Sequence, residues 1–396
     1  MNITFVLAYY LPELPTQNYI YQPVIDDLLT LGHHVNIICP NPTRGISQAA
    51  QKKYKRIHVE KKDNLTIYRV NAFTYHPRHF SKVKLLLRYL SVSLRLASKL
   101  KSVKSDVVFS QTNPPILLSY LISKYTKKNK IPFIYNVQDI YPDNIFKPSD
   151  LLYKLTNPFQ IKTIQNATKV ITISQTMKIT LLRKVFDPHK IEVIYNFPIC
   201  EYNSEMIEDQ VASKLNMQMD KFNVVYAGNI GYVQDLDILL RAAELTKNND
   251  YIHYYIVGEG SQAKRIKQKI KDLKLDKVFF HPAIPAEEAI HLYYLADVNI
   301  ISILPHVIHT ALPLKLGSCL EAKKPIIFVG LEDKIKEPWL PHEAIFRVNH
   351  RDYQQLARYI QHLSTNPITN IKYDDYDFKR KMNIIAYLEA ILQYEK

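Results

Sequence analysis

Two kinds of position in this sequence could do chemistry. The first is a pair of glycine turns. Gly228-Asn229-Ile230-Gly231 follows the strand-like run Phe222-Asn223-Val224-Val225-Tyr226-Ala227, and Gly258-Glu259-Gly260 follows Tyr254-Tyr255-Ile256-Val257. The chain has eight glycines and four of them fall at these turns, so residues 222–260 read as one β-α-β-α unit whose turns need φ > 0 or a close approach to the backbone. A helix opening after Gly231 is expected to aim free N–H groups and a partial positive charge at the space above the turn, a common means of holding phosphate. Glycines at any tight βα turn would look the same, so spacing leaves both readings open. The second is Asp139, where the strand Phe133-Ile134-Tyr135-Asn136-Val137 runs out into Gln138-Asp139-Ile140-Tyr141-Pro142-Asp143. A carboxylate at a strand's carboxyl end, between aromatic residues and a proline, suits acid/base or electrostatic work. A solvated Asp139 and an N-capping Asp143 are the plain alternatives.

The elements that must hold these groups are legible as two α/β halves. At 396 residues two domains are the natural expectation. In the first, apolar runs at 3–8, 33–39, 65–70, 106–110, 133–137, 169–173 and 191–194 alternate with helical patterns, which predicts a parallel sheet. Gly32 is expected to cap the first helix and Ser174 to open a later one, whereas residues 41–64 read as irregular. Residues 197–221 lack sheet pattern and read as a linker, and the second domain begins at Phe222. A cleft between two such domains is where substrates are expected to meet.

Charge is unevenly shared. Residues 1–196 carry 28 Lys and Arg against 11 Asp and Glu, while 197–396 carry 24 against 26. The basic half points to an anionic surface. Nucleic acid is disfavoured, since no recognised motif or aromatic interleaving accompanies the cations. Residues 81–101 predict a helix apolar around more than half its circumference and otherwise cationic, with no acidic residue. That is the composition of an interfacial helix on an anionic membrane; a helix packed on the domain with snorkelling cations is compatible with it. No run of eighteen apolar residues exists, and the amino terminus enters a strand directly, which predicts a cytoplasmic protein peripheral to the inner face of the cell membrane. Cys39, Cys200 and Cys319 are far apart and without metal-ligand spacing, so reduced thiols are expected.

Taken in order, Ala227-Gly228-Asn229-Ile230-Gly231-x-x-Gln234, Ile256-Val257-Gly258-Glu259-Gly260, Phe280-His281-Pro282-Ala283-Ile284-Pro285, Leu295-Ala296-Asp297-Val298 and Leu312-Pro313-Leu314-Lys315 before Lys324-Pro325-Ile326-Ile327 resemble the retaining glycosyltransferase family 4, of GT-B fold. In the first half, 139–143, 171–174 and 193–196 resemble its colanic-acid and O-antigen branch. The resemblance covers nearly the whole chain. It implies two Rossmann-like parallel-sheet domains facing each other across a cleft, with an acceptor and membrane-side domain at 1–200, a linker at 201–221, a nucleotide-sugar domain at 222–372 and a last helix at 373–396 returning to the first domain.

It further implies a UDP-sugar donor with its diphosphate over Gly228, Asn229, Gly231 and Gln234, and Gly258 at the neighbouring turn. Main-chain groups at Ala283 and Ile284 would read the base, while Pro313, Lys315 and Ser318 complete the donor set. Lys315 would offset charge on the leaving UDP. Asp139 would be the catalytic group, beside Gln138 where many relatives carry histidine. No cofactor and no metal are expected. The pattern is broken where the family's paired glutamates would stand: those positions are Thr310 and Ser318, with Glu321 about one helical turn late. Pro15-Thr16-Gln17 likewise replaces a frequent Gly-Gly pair. The resemblance therefore implies a membrane-associated glycosyltransferase, moving a hexosyl or N-acetylhexosaminyl group to a lipid-linked saccharide on a polyprenyl diphosphate in bacterial capsule or O-antigen biosynthesis. The alternative is a degenerate GT-B protein that binds nucleotide-sugar or membrane and scaffolds an assembly complex without catalysis.

Overall fold

Strands that are apolar along their whole length must be covered on both faces, which favours parallel sheets flanked by helices. The computed structural model has two such sheets; it describes residues 1–13, 16–43, 46–73, 81–185, 187–200, 202, 205–332, 335, 337–339, 342–371 and 380–395. Pro15 and residues 372–379, which include part of the predicted C-terminal segment, lie outside them. The chain divides into unit 1, Met1–Tyr195 with Lys381–Lys396, and unit 2, Asn196–Arg380.

Unit 1 runs β1 (Asn2–Val6), α1 (Thr16–Thr30), β2 (His34–Pro40), α2 (Gln48–Tyr54), β3 (Val59–Lys62), β4 (Leu65–Val70), α3 (Lys82–Leu100), β5 (Val107–Gln111), α4 (Leu117–Asn129), β6 (Phe133–Val137), α5 (Leu151–Asn166), β7 (Lys169–Thr172), α6 (Gln175–Leu182) and β8 (Ile191–Val193). The sheet order is β3-β4-β2-β1-β5-β6-β7-β8, parallel throughout except for the β3–β4 hairpin. Gly32, at φ +83°, ends α1 as expected, its N–H donating to Leu29 O at 3.0 Å. Ser81 and Ser174 cap α3 and α6 by accepting from Lys84 N and Met177 N. Residues 41–64 are less irregular than their pattern implied. They hold α2, which buries no residue, and the edge strand β3, which turns into β4 through Asp63 at φ +47°. An element without a buried face leaves no apolar period to read.

Unit 2 runs α7 (Glu205–Lys214), β9 (Phe222–Ala227), α8 (Asp237–Thr246), β10 (Ile252–Val257), α9 (Ala263–Asp272), β11 (Val278–His281), α10 (Ala286–Leu295), β12 (Val298–Ser302), α11 (Lys315–Glu321), β13 (Ile326–Val329), β14 (Ile345–Val348) and α12 (Tyr353–Thr365). All six strands are parallel, in the order β11-β10-β9-β12-β13-β14. The stretch read as a linker contains α7, which buries Val211, is followed directly by the buried Leu215, and packs on α10 within this unit. Two apolar positions one turn apart were too few to stand out among polar neighbours. The core gathers β9, β10 and β12 against α8, α9 and α12. Trp339, the chain's one tryptophan, is fully buried and stacks on Phe328 with centroids 5.8 Å apart. The last helix, α13 (Arg380–Leu392), belongs to unit 1 from Lys381 onward.

Candidate functional site

In unit 2 the two glycine turns lie side by side because β9 and β10 are adjacent and in register, Ala227 opposite Val257. Gly228 N donates to Val257 O at 2.9 Å, and Ile230 N donates to Glu259 O at 2.8 Å. Gly258, at φ +158°, could carry no side chain: a Cβ there would stand 1.9 Å from Gly228 O. Gly260 is equally constrained by Ile230 O at 2.2 Å. These glycines therefore let two backbones touch.

The turn is shaped differently from the expected helix start. Gly231 leads into a one-turn 3-10 helix, Tyr232–Gln234, then Asp235 at φ +38°, and α8 begins only at Asp237. The dipole of α8 is displaced from the turn accordingly. Gln234 explains the closure: its Oε1 accepts from Gly231 N at 3.1 Å and from Asn229 Nδ2 at 3.2 Å. Asn229, Gly231 and Gln234 are thus brought together, bonded to one another. Asp235 bonds His350 at 2.7 Å, and Asp237 is held by Arg265 and Lys269, so both carboxylates have partners within the unit.

Lys315 opens α11 and reaches back over the carboxyl end of β9. Its Nζ stands 3.5 Å from the centroid of the Tyr226 ring and 3.3 Å from the place a Cβ on Gly228 would take. The ammonium is shielded from solvent, and among the described residues it has no hydrogen-bond partner. Burial pulls its pKa down to about 7. Cys319, one turn along, supplies no anion, because burial pushes its thiol up to about 12. A desolvated ammonium over an aromatic face, unpaired and beside a glycine turn, is a place for an anion. Tyr226 was not singled out from the sequence. The available signal was an aromatic at the end of β9 with no acidic residue within a turn of Lys315 to pair with it.

The remaining residues of the implied donor set are more spread. Ala283 and Ile284 lie in the loop between β11 and α10, exposed and half-buried. That loop leaves the sheet beside Gly258, whose N–H donates to His281 O at 3.1 Å. Pro313 precedes α11, and its carbonyl accepts from Leu316 N at 3.0 Å. Ser318 is buried in α11 one turn beyond Lys315. Thr310 is buried, with its hydroxyl donating to Val307 O at 3.1 Å. Glu321 ends α11, where its charge acts on the Tyr294 phenol.

In unit 1, Asp139 follows β6 at the carboxyl edge of the sheet. Its N–H donates to Thr112 Oγ1 at 3.4 Å, tying it to the end of β5. Burial pushes its carboxyl up to about 6. Its ionisable neighbours are the phenols of Tyr141 and Tyr21. Asp139 is not the solvated carboxylate of the plain alternative. Asp143 does different work: it pairs with Lys184, which also donates to Asn157 at 2.7 Å and Gln160 at 2.6 Å, and it accepts from Tyr153 at 3.3 Å. That network pins α5 to the segment that follows α6.

Residues 24–198 match the model of Glycosyltransferase Family 4, and residues 208–380 match that of Glycosyl transferases group 1, so the two take in most of the chain. The probable glycosyltransferase WbjE of Pseudomonas aeruginosa is 24% identical over 245 residues, 60% of each chain. The putative colanic acid biosynthesis glycosyl transferase WcaI of Escherichia coli is 23% identical over 174 residues, 42% of each. The matched part thus spans three-fifths of the first curated relative and less than half of the second. Among solved structures, Anabaena HepE in complex with UDP superposes with a TM-score of 0.61 at 14% identity, covering 99% of this chain and 95% of that one, which is a likeness of fold.

Proposed function

The chain belongs to glycosyltransferase family 4, with the GT-B fold of two Rossmann-like domains, and from that premise we propose that it transfers a sugar from a UDP-sugar, with retention, to a lipid-linked saccharide in surface polysaccharide biosynthesis. The observation that carries this reading is the Lys315 ammonium over Tyr226 beside the Gly228 turn, without a hydrogen-bond partner among the described residues. A diphosphate there would supply the missing counter-charge. As the bond from the anomeric carbon to the β-phosphate oxygen breaks, its electron pair stays on that oxygen, where Lys315 offsets the growing charge. The acceptor hydroxyl bonds to the anomeric carbon on the face the phosphate leaves. Asp139, with a carboxyl near 6, is suited in its ionised form either to taking the acceptor's proton or to offsetting positive charge on the sugar. HepE, crystallised with UDP-glucose, supports a uridine nucleotide as donor. WcaI, named for colanic acid biosynthesis, supports the polysaccharide setting, and the group moved is proposed to be a hexosyl or N-acetylhexosaminyl residue.

Membrane association rests on α3 and its neighbours. Val92, Leu96, Ala97 and Leu100 of α3 are buried, but Val83, Leu86, Leu87 and Leu94 are about half exposed or more, at helical spacing. On α5, Leu151, Leu152, Leu155 and Phe159 form a second exposed stripe, and α4 packs against both helices. The three helices hold ten Lys and Arg and no Asp or Glu. Apolar side chains framed by cations fit an anionic bilayer bearing the acceptor. Among the described residues, no helix is long and apolar enough to cross a membrane.

The non-catalytic alternative draws on Thr310, whose hydroxyl is committed to the backbone where the family pattern has a carboxylate. One experiment separates the two. UDP binding by calorimetry and UDP release from a panel of UDP-hexoses and UDP-N-acetylhexosamines are measured for wild type, Lys315→Met and Asp139→Ala. The enzyme reading expects turnover in wild type alone. It also expects UDP binding at least tenfold weaker in Lys315→Met, equivalent to about 1.4 kcal/mol. Wild-type affinity should fall as pH rises above about 7, where Lys315 gives up its proton, and the methionine variant should lack that fall. Binding without turnover in any donor would leave the scaffold.

A further inference from the structure

The C-terminal helix carries a hydroxyl into the floor beneath Asp139. Tyr387 of α13 is fully buried, 251 positions from Asn136, yet Asn136 Nδ2 donates to Tyr387 Oη at 3.0 Å. The same Nδ2 donates to Tyr21 Oη of α1 at 3.2 Å, and Tyr21 Oη donates to Gln111 Oε1 of β5 at 3.0 Å. Asn136 Oδ1 accepts from Gln138 Nε2 at 3.3 Å, and the Gln138 side chain also hydrogen-bonds the two phenols. No member of this cluster is more than 7% exposed. Around it the packing is aromatic: Phe109 meets Tyr21 at 5.4 Å and Tyr387 at 6.3 Å, both edge-on.

A polar cluster inside an apolar core holds its geometry because each group deprived of its partner is left desolvated. Asn136 spends both amide hydrogens on the two phenols and its carbonyl on Gln138, whose peptide carbonyl is bonded to the Asp139 nitrogen. We propose that Tyr387 is a positioning residue for Asp139: through Asn136 and Gln138 it fixes how the end of β6 presents that carboxyl, so that the C-terminal helix is part of the apparatus that orients the catalytic group. The inference rests on the catalytic reading of Asp139 given above.

The ionisable groups around Asp139 are Tyr21 from α1 and Tyr141 from its own loop. Tyr9, from the loop after β1, acts on Tyr141, and Tyr387, from α13, acts on Tyr21. Among the described residues no cation acts on it. The acid limb of the rate profile therefore reports the burial of this carboxyl, and loosening the floor should let water in and move that limb to lower pH.

The test compares wild type, Tyr387→Phe, Glu389→Ala as an exposed control on the same helix, and Asp139→Asn. UDP release is followed against pH, using whichever of UDP-glucose, UDP-galactose, UDP-N-acetylglucosamine and UDP-N-acetylgalactosamine wild type turns over fastest. Phenylalanine keeps the ring packing and removes only the hydroxyl. Expected are a kcat about tenfold lower, a donor KM within about twofold, and an acid limb displaced to lower pH in Tyr387→Phe, with Glu389→Ala unchanged. An unchanged kcat and acid limb, even with a lower melting temperature, would overturn the proposal and leave Tyr387 a purely structural residue. If Asp139→Asn works like wild type, or wild type turns over no donor, the catalytic reading itself is wrong and the inference goes with it. An inactive Asp139→Asn beside a normal Tyr387→Phe removes the positioning role alone. Should Tyr387→Phe not fold, Asn136→Ala cuts the same link from the strand and is judged by the same two readouts.

Discussion

Burial raises the pKa of the Asp139 carboxyl and lowers that of the Lys315 ammonium, toward their neutral forms, and the first shift leaves a thermodynamic mark. For Asp139 the folded chain binds its proton more tightly than the unfolded chain, between the ordinary carboxyl range near 4 and the buried value of about 6. Stability contributed by this group therefore falls as pH rises through that window and stays reduced above it. Asp139→Asn removes the penalty. At pH 7 the variant is expected to be more stable than wild type by up to about 3 kcal/mol, with the gap closing below about pH 4. Chemical denaturation at pH 4 and pH 7 measures it. A variant that loses turnover while gaining stability marks a residue kept for function; one that loses both would mark Asp139 as structural. Gly258 sits at the opposite extreme, since its backbone contact with Gly228 leaves no room for even a methyl group.

At the scale of elements, what the sequence made legible follows from burial. β1, β2, β6, β9 and β10 are almost entirely buried, and their unbroken apolar runs stand out for that reason. The glycine turns were legible because backbone contact leaves no substitute. α2, β3 and α7 were not, since each buries too little to impose a period on its residues. The Tyr226 bed under Lys315 and the Asn136–Tyr387 bond join residues 89 and 251 positions apart, and no local pattern encodes such a pairing. Gln234 was foreseen near the turn, but not that it would bond Gly231 and delay α8. α3 was legible in composition, and its structure sharpens what to change. Replacing Leu86, Leu87 and Leu94 by serine alters exposed side chains only. Flotation on vesicles containing phosphatidylglycerol should drop severalfold while the melting temperature stays within a few degrees of wild type. Undiminished flotation would assign α3 to the fold alone.

Across the whole molecule, charge is unevenly shared, the first half carrying the cationic excess and the second close to neutral. Attachment through the first half should therefore weaken steeply between 50 mM and 500 mM salt, as screening shortens the reach of the cations. Binding that ignores salt would point to apolar insertion without electrostatic help. Finally, the single indole of Trp339 lies stacked on Phe328 in unit 2, out of water, while unit 1 has none. Its fluorescence is consequently an intrinsic beacon for one unit of two: emission excited at 295 nm should shift to the red only when unit 2 opens, whereas circular dichroism follows both. UDP at about a hundred times its Kd should delay the indole transition by about 2.7 kcal/mol, so an unlabelled chain can report by its own light which unit has taken the nucleotide.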